Sequence, residues 1–169
     1  MIWRAFPLHP ETPEEGRTLE ALFHGRMIDI QAMMRRLRQV AAEEKLPFGE
    51  RTMTFNSRGA QELSKWAEAE GRGEAFHRAV FHAYFAEGRN IARWEVLSEI
   101  CRSVGLDEAS AAAVLEKRTY AEAVDRDGYR SHKLGIRAVP ALLYRNRLLV
   151  GAQPFEKMAA FINAPAAAW

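Results

Sequence analysis

The chain has 169 residues and a formal net charge of +2, from 24 basic and 22 acidic residues. This near balance gives no reason to expect nucleic acid or a membrane surface as a partner, and no apolar run approaches the ~20 residues of a membrane-spanning helix. Cys101 is the single cysteine, which excludes an intramolecular disulfide, a Cys-X-X-Cys pair and a structural cysteine–zinc site within this sequence.

The first half of the chain predicts one strand followed by a long helical block. Residues 2–8 are short, bulky and closed by prolines, which is typical of a strand. Residues 12–15 predict a helix start, because Thr12 can cap, Pro13 suits the first turn and Glu15 completes a capping box. From about residue 17 to 134 the hydrophobic periodicity is helical, and breaks divide it into about six helices.

The end of the chain predicts a hairpin between two helices. The last helix of the block stops at Gly135, and a Val139-Pro140 step precedes an apolar run over residues 141–144. Residues 145–147 suit a tight turn, because Asn146 tolerates left-handed geometry. A second apolar run over 148–150 leads to a terminal helix, and residues 164–169 resemble a frayed tail. A few strands beside a helical block predict an α/β fold with a small sheet and a helical insertion.

The residues that could carry chemistry give a weak signal. Cys101 shares an apolar helix stripe with Leu97 and Ile100, which predicts a buried structural thiol, and its place late in a helix opposes thiolate formation. His77 and His82 are five residues apart, about 140° around a helix, so we expect no metal site there. One helix face is apolar and aromatic, and it predicts core packing or, alternatively, a wall that lines a ligand site. Its residues are Phe76, Val80, Phe81, Tyr84 and Phe85.

Four stretches together resemble the DsbA-like thioredoxin superfamily, and most closely its cytoplasmic FrnE-like branch. They are residues 3–10 with Glu15-Gly16, the Asn-Ser helix start at 56–60, the aromatic helix and Gly-Arg turn at 81–91, and residues 135–141 with Gly151-Ala152-Gln153. The likeness spans essentially residues 2–163, and the order and spacing of the stretches carry it.

The resemblance implies a thioredoxin-like core interrupted by a helical domain, with thiol–disulfide exchange on protein substrates as the family's activity. We accordingly expect residues 1–15 and 134–165 to form the thioredoxin-like part, and 16–133 the helical insertion. The residues alone favour a trans Val139-Pro140 bond, since only about 5–6% of X-Pro bonds are cis, whereas the family implies a cis proline. The substrate-binding residues that the resemblance implies are Ala138, Val139, Pro140, Asn56 and Gln153.

The sequence departs from the family at its beginning. It starts where the second strand of the family lies, so the first strand, the Cys-Pro-X-Cys turn and the first helix have no counterpart. We therefore expect an incomplete core, no catalytic residue, no metal and no cofactor, in a protein that is truncated or degenerate. Exchange needs an attacking thiolate and usually a resolving thiol, and Cys101 matches no catalytic position of the family.

The partner that the resemblance implies is an extended peptide or a thiol-bearing protein, bound by strand addition along the Val139-Pro140 loop. Strands left without neighbours also predict either re-pairing of strands within one chain or strand exchange in a homodimer. The lack of disulfides and of a signal pattern indicates the cytoplasm. Two alternatives stay open: a glutathione-dependent 2-hydroxychromene-2-carboxylate isomerase or kappa transferase relative, which shares the fold and the Val-Pro loop, and a non-catalytic peptide- or protein-binding module.

Overall fold

The computed structural model describes residues 2–164, which pack as two compact units. Residues 9–125 form what we call the helical unit, and residues 2–8 together with 126–164 form the hairpin unit. The boundary between them falls within one helix, Ala121–Lys133. The predicted frayed tail lies, beyond Ala164, outside the described residues. No helix of the described part is long and apolar enough to cross a membrane.

The helical unit contains a two-residue ladder and a succession of helices. Strand β1 (Arg17–Thr18) pairs antiparallel with β2 (Met53–Thr54). The helices are α1 (Leu19–Leu22), α2 (Ile30–Glu43), α3 (Arg58–Ala69), α4 (Gly73–Phe81), a π-helix (His82–Ala86), α5 (Trp94–Ser103), α6 (Glu108–Glu116) and the start of α7 (Ala121–Lys133). Thr18, Asp29 and Asp107 accept hydrogen bonds from first-turn amides, which fixes the starts of α1, α2 and α6.

The core of the helical unit is formed by α3 to α6. Leu63, Phe76 and Cys101 are fully buried in one apolar cluster, so the prediction of a buried thiol is confirmed. Beside this cluster the carboxylate of Glu62 is only 1% exposed. It accepts hydrogen bonds from Arg58 Nε and Arg118 Nη2, each at 2.6 Å. These two guanidinium groups satisfy a charge that would otherwise be costly to bury.

The predicted helix start at residues 12–15 is wrong. Gly16 closes a turn there by donating to the carbonyl of Pro13 at 3.0 Å, with φ at +90°. A Cβ on Gly16 would lie 2.4 Å from the Phe55 ring, so this glycine brings β1 against β2. Thr18, rather than Thr12, caps the first helix. Tertiary packing therefore overrides the local capping pattern at this point.

The hairpin unit contains β3 (Ala141–Tyr144), β4 (Arg147–Val150) and α8 (Phe155–Asn163). The two strands pair antiparallel from Ala141 opposite Val150 to Tyr144 opposite Arg147. The loop consists of Arg145 and Asn146, both with positive φ, which is the type I′ pattern of tight hairpins. Arg147 donates from Nη2 to the carbonyl of Phe161 and stacks over its ring, which ties β4 to α8.

The predicted strand over residues 2–8 is wrong, because these residues join no ladder in the described part of the chain. A strand requires a neighbouring strand, and in the described residues β3 and β4 pair only with each other. Asp127 of α7 holds the segment instead: its carboxylate accepts from Arg4 Nη1 at 2.9 Å and from the Ala5 amide at 3.0 Å. Asp127 is 4% exposed, so this side chain substitutes for strand pairing at one point.

A candidate peptide-binding loop

The loop between α7 and β3 begins where backbone hydrogen bonds terminate helix α7. The Gly135 amide donates to the carbonyl of His132, and the Ile136 amide donates to the carbonyl of Ser131, both at 3.0 Å. With Gly135 at φ +72°, this is a Schellman motif. Ile136 is buried at 8% exposure, and residues 137–140 that follow it are all exposed. The buried Ile136 therefore anchors a loop whose next four residues face solvent.

Val139 and Pro140 lie at the centre of this loop, where the peptide bond between them is cis. The Val139 side chain is 45% exposed. Within the described residues its backbone N–H and C=O have no hydrogen-bond partner. Pro140, by contrast, accepts from the Gly151 amide at 2.8 Å. The loop thus presents one peptide donor and one peptide acceptor, held in place by the hairpin that follows.

Gln153 supports the same hairpin from the other end. Its Nε2 donates to the carbonyl of Val150 at 2.8 Å, and Gly151 turns the chain between them with φ at +85°. The last residue of β4 is therefore fixed opposite Ala141, the first residue of β3. Four of the five predicted substrate-binding residues (Ala138, Val139, Pro140 and Gln153) belong to the hairpin unit.

Asn56, the fifth predicted residue, belongs to the helical unit. Its Nδ2 donates to the carbonyl of Thr12 at 2.7 Å, and its Oδ1 accepts from the Arg58 amide at 2.8 Å. The first bond fastens the turn around Pro10 to Thr12, and the second opens α3. The predicted cap is therefore Asn56 itself, since Ser57 makes no side-chain capping bond.

Cys101 has none of the properties of an attacking thiol. It is 0% exposed, and burial, with a further contribution from the Glu108 charge, raises the pKa of its thiol to about 11. At pH 7 the thiolate fraction is then about one in ten thousand, and the thiolate is the reactive form. Among residues 2–164 there is no group of three or more His, Cys, Asp or Glu side chains arranged to hold a metal ion.

A second polar cluster, which the sequence did not predict, lies around Arg51 and Tyr84 in the helical unit. Arg51 Nη2 donates to the Tyr84 hydroxyl at 2.6 Å, across 33 residues of sequence. Two features of the sequence could have indicated this cluster. One is the arginine that follows the Phe48-Gly49 helix break, and the other is the aromatic face that could line a ligand site. Neither signal says that the two segments meet.

The hairpin, the loop before it and the inserted helices define a thioredoxin-like fold of the kind that carries a helical insertion. The chain belongs to the DSBA-like thioredoxin domain family, whose model matches residues 1–163. The predicted fold class and membership of the DsbA-like thioredoxin superfamily are therefore confirmed, whereas the FrnE-like branch stays a prediction.

Two individual proteins are similar to this chain. The crystal structure of a probable DsbA oxidoreductase from Streptomyces coelicolor superposes with a TM-score of 0.85 at 28% identity, over 94% of this chain and 72% of that one. YwbO, an uncharacterized protein of Bacillus subtilis, is 33% identical over 97 residues, which cover 54% of this chain and 48% of YwbO. The match to this relative thus covers about half of the relative's length.

Proposed function

We propose that this chain provides the peptide-binding part of a DsbA-like thiol–disulfide oxidoreductase of the FrnE-like branch, and that by itself it binds extended peptides without exchanging disulfides. The observation that carries the proposal is the exposed Val139-Pro140 loop, where the Val139 peptide groups have no partner among the described residues. An extended peptide can satisfy both groups by adding a strand, and main-chain hydrogen bonds of this kind supply affinity.

The second half of the proposal concerns chemistry. With one cysteine in the sequence, fully buried and with a raised pKa, this chain holds neither an attacking nor a resolving thiol. We assign the thioredoxin-like part to residues 1–15 and 134–165 and the insertion to 16–133. The hairpin lies in a different compact unit from helices α1 to α6, whereas residues 126–133 of α7 belong to the same unit as the hairpin. We place the protein in the cytoplasm, because proteins of reducing compartments do without disulfides.

Peptide binding is tested with a reduced, alkylated polypeptide labelled with a fluorophore. Val139→Pro removes the amide donor, and we expect it to weaken binding about tenfold, since a lost hydrogen bond of ~1 kcal/mol adds to a blocked approach. Val139→Ala is the matched control, because it keeps the amide, and its affinity should remain within about threefold of the wild type. Equal affinities for the three proteins would contradict a role for the Val139 backbone.

Disulfide exchange is tested by insulin reduction with the chain as it stands. We expect no turnover, with or without Cys101→Ser. Turnover that survives this substitution would contradict the claim that the chain holds no dithiol chemistry. The coding bases upstream of Met1 supply a further test: a strand followed by Cys-Pro-X-Cys in frame would complete an oxidoreductase, whereas a stop codon would favour the binding module.

We also propose that a second copy of the chain can pair with β3. Within the described residues β3 has β4 as its sole neighbour, and an edge strand with unused donors and acceptors invites pairing. Light scattering should then report a dimer, with slowed amide exchange over residues 141–144. A monomer with unprotected amides there would exclude this pairing.

A further inference from the structure

The helical unit contains a small polar cavity that the proposed peptide-binding function does not use. It has a volume of about 60 Å³ and is lined by Arg51, Thr52, Tyr84 and Glu50 together with apolar and backbone atoms of their neighbours. A space of this size can hold a few water molecules or one small oxyanion group, since a single water needs roughly 10–15 Å³.

The π-helix builds one wall of this cavity. The Gly49 amide donates to the carbonyl of Phe85 at 2.9 Å. A Cβ on Gly49 would lie 2.2 Å from the carbonyl oxygen of Ala86, so only glycine permits this approach. The segment that carries Arg51 is therefore pressed directly against the π-helix that carries Tyr84. Single π-turns of this kind occur frequently at functional sites.

Three contacts fix the orientation of the Arg51 side chain. Its guanidinium lies over the rings of Tyr84 and Phe85, 4.4 and 4.9 Å from their centroids. Its Nη2 donates to the Tyr84 hydroxyl at 2.6 Å, and that hydroxyl is 3.1 Å from Thr54 Oγ1. Stacking on an aromatic face together with a directed hydrogen bond holds a planar guanidinium in one place. The group is thus positioned before any ligand arrives.

Arg51 forms no ion pair with a carboxylate among the described residues, although Glu50 lines the same cavity. Its one hydrogen-bond acceptor there is the neutral Tyr84 hydroxyl, although a guanidinium carries five N–H donors. The Nε atom is buried and has no hydrogen-bond partner among residues 2–164. Partly buried charges are normally paired, because removing them from water is costly. The guanidinium therefore keeps hydrogen-bond donors that an anion can use.

We infer that this cavity binds a small monocarboxylate on the Arg51 guanidinium. A carboxylate matches the guanidinium fork with two parallel hydrogen bonds. Thr52 also lines the cavity, and a threonine hydroxyl is a hydrogen-bond donor. Glu50 lines the same cavity. Its negative charge disfavours a dianion more than a monoanion, which selects a carboxylate over phosphate. The carboxylate belongs either to a free small acid or to an acidic side chain of a peptide.

The direct test follows the Arg51 Nε–H resonance of the whole chain by NMR during titration with sodium acetate, at an ionic strength held constant with sodium chloride. We expect a saturable shift with acetate and none with chloride alone, and an affinity for inorganic phosphate at least threefold weaker. The absence of a saturable shift in the wild-type protein would overturn the inference. This measurement needs no variant, so it remains decisive even if substitutions at Arg51 unfold the protein.

Variants locate the site by calorimetry. Arg51→Lys keeps the charge without the fork and should weaken acetate binding at least tenfold. Arg102→Lys is the matched control, because Arg102 is exposed and outside the cavity, and its affinity should stay within twofold of the wild type. Glu50→Gln should tighten binding about two- to fivefold. Equal losses of acetate affinity in the two lysine variants would overturn the assignment. Acetate binding that is detected only in Glu50→Gln would also overturn it, because Glu50 would then be the counter-ion of Arg51.

The source of the carboxylate is distinguished by a blocked dipeptide whose one carboxylate is a glutamate side chain. Affinity tenfold above that of acetate identifies a peptide as the source, whereas equal affinity identifies a free acid; both support the site. Failure of both ligands to compete at Arg51 overturns it. The peptide-binding proposal at Val139 is unaffected by any of these results, since its assay uses other residues.

Discussion

The buried thiol of Cys101 makes a quantitative prediction about stability at alkaline pH. The side chain is 0% exposed, and burial raises the pKa of the thiol to about 11, against an ordinary value near 8.5–9 in an unfolded chain. A folded pKa above the unfolded value gives stability that is fully present below about pH 9. That stability is lost as the pH rises toward 11, because the unfolded chain releases its proton first.

The size of the effect follows from these two pKa values. Between pH 8 and pH 10 the unfolded thiol becomes mostly ionised while the folded thiol remains mostly protonated. The free energy of unfolding should therefore fall by roughly 1–2 kcal/mol from this group alone, because one pKa unit of titration is worth somewhat more than 1 kcal/mol. Lysine and tyrosine side chains titrate in the same range, so the wild type alone cannot isolate this contribution.

Cys101→Ala supplies the reference. Urea unfolding of both proteins, under reducing conditions, should show the stability advantage of the wild type shrinking by roughly 1–2 kcal/mol between pH 8 and pH 10. The native thiol should also resist alkylation at pH 8 and react once urea is added. A difference between the two proteins that is independent of pH would refute the reasoning, because it would mean that the native thiol titrates normally.

Three further substitutions test the packing. Glu62→Gln should lower the free energy of unfolding by about 2–4 kcal/mol, because the buried acceptor of two arginines loses its charge. Its control is Asp125→Asn, at an exposed carboxylate that also pairs with Arg58, which should lower stability much less. Equal losses of stability in urea unfolding would contradict the role assigned to the buried charge. Gly49→Ala should lower the free energy of unfolding by at least about 2 kcal/mol through overpacking. Its control is Gly59→Ala, inside α3 with ordinary contacts, which should be neutral or stabilise the protein by about 0.5–1 kcal/mol. Thermal unfolding distinguishes the two variants, and an unchanged stability of Gly49→Ala would show that the segment does not press on the π-helix. Asp127→Asn should speed hydrogen exchange at the Ala5 amide about tenfold, and unchanged exchange would mean that this carboxylate does not hold residues 2–8.

Local patterns predicted the elements whose causes are local. The α5 and α6 helices follow from hydrophobic periodicity and from Asp107, which caps α6 through the amide of Ser110. The β3–β4 hairpin follows from two apolar runs joined by residues that accept positive φ. The end of α7 follows from Gly135, which adopts the left-handed geometry of a helix end.

The errors arise where the outcome depends on distant residues. Whether residues 2–8 form a strand is decided by the presence of a neighbouring strand, which their own composition cannot reveal. The capping box at Thr12 was overruled by packing against Phe55, and the two-residue β1–β2 ladder is too short to leave a periodic signal. The cluster of Arg51 and Tyr84 was missed for the same reason, since 33 residues of sequence separate its members.

The apolar core is distributed unevenly between the two units, and this affects their dynamics. The main buried cluster lies entirely within residues 60–114, whereas the described residues of the hairpin unit bury one large apolar side chain, Ile136, and α8 buries none. Segments with few buried contacts open at lower free energy than the core. The Val139-Pro140 loop therefore belongs to the part of the protein that unfolds first, and a ligand bound there would stabilise that part while leaving the helical core almost unaffected.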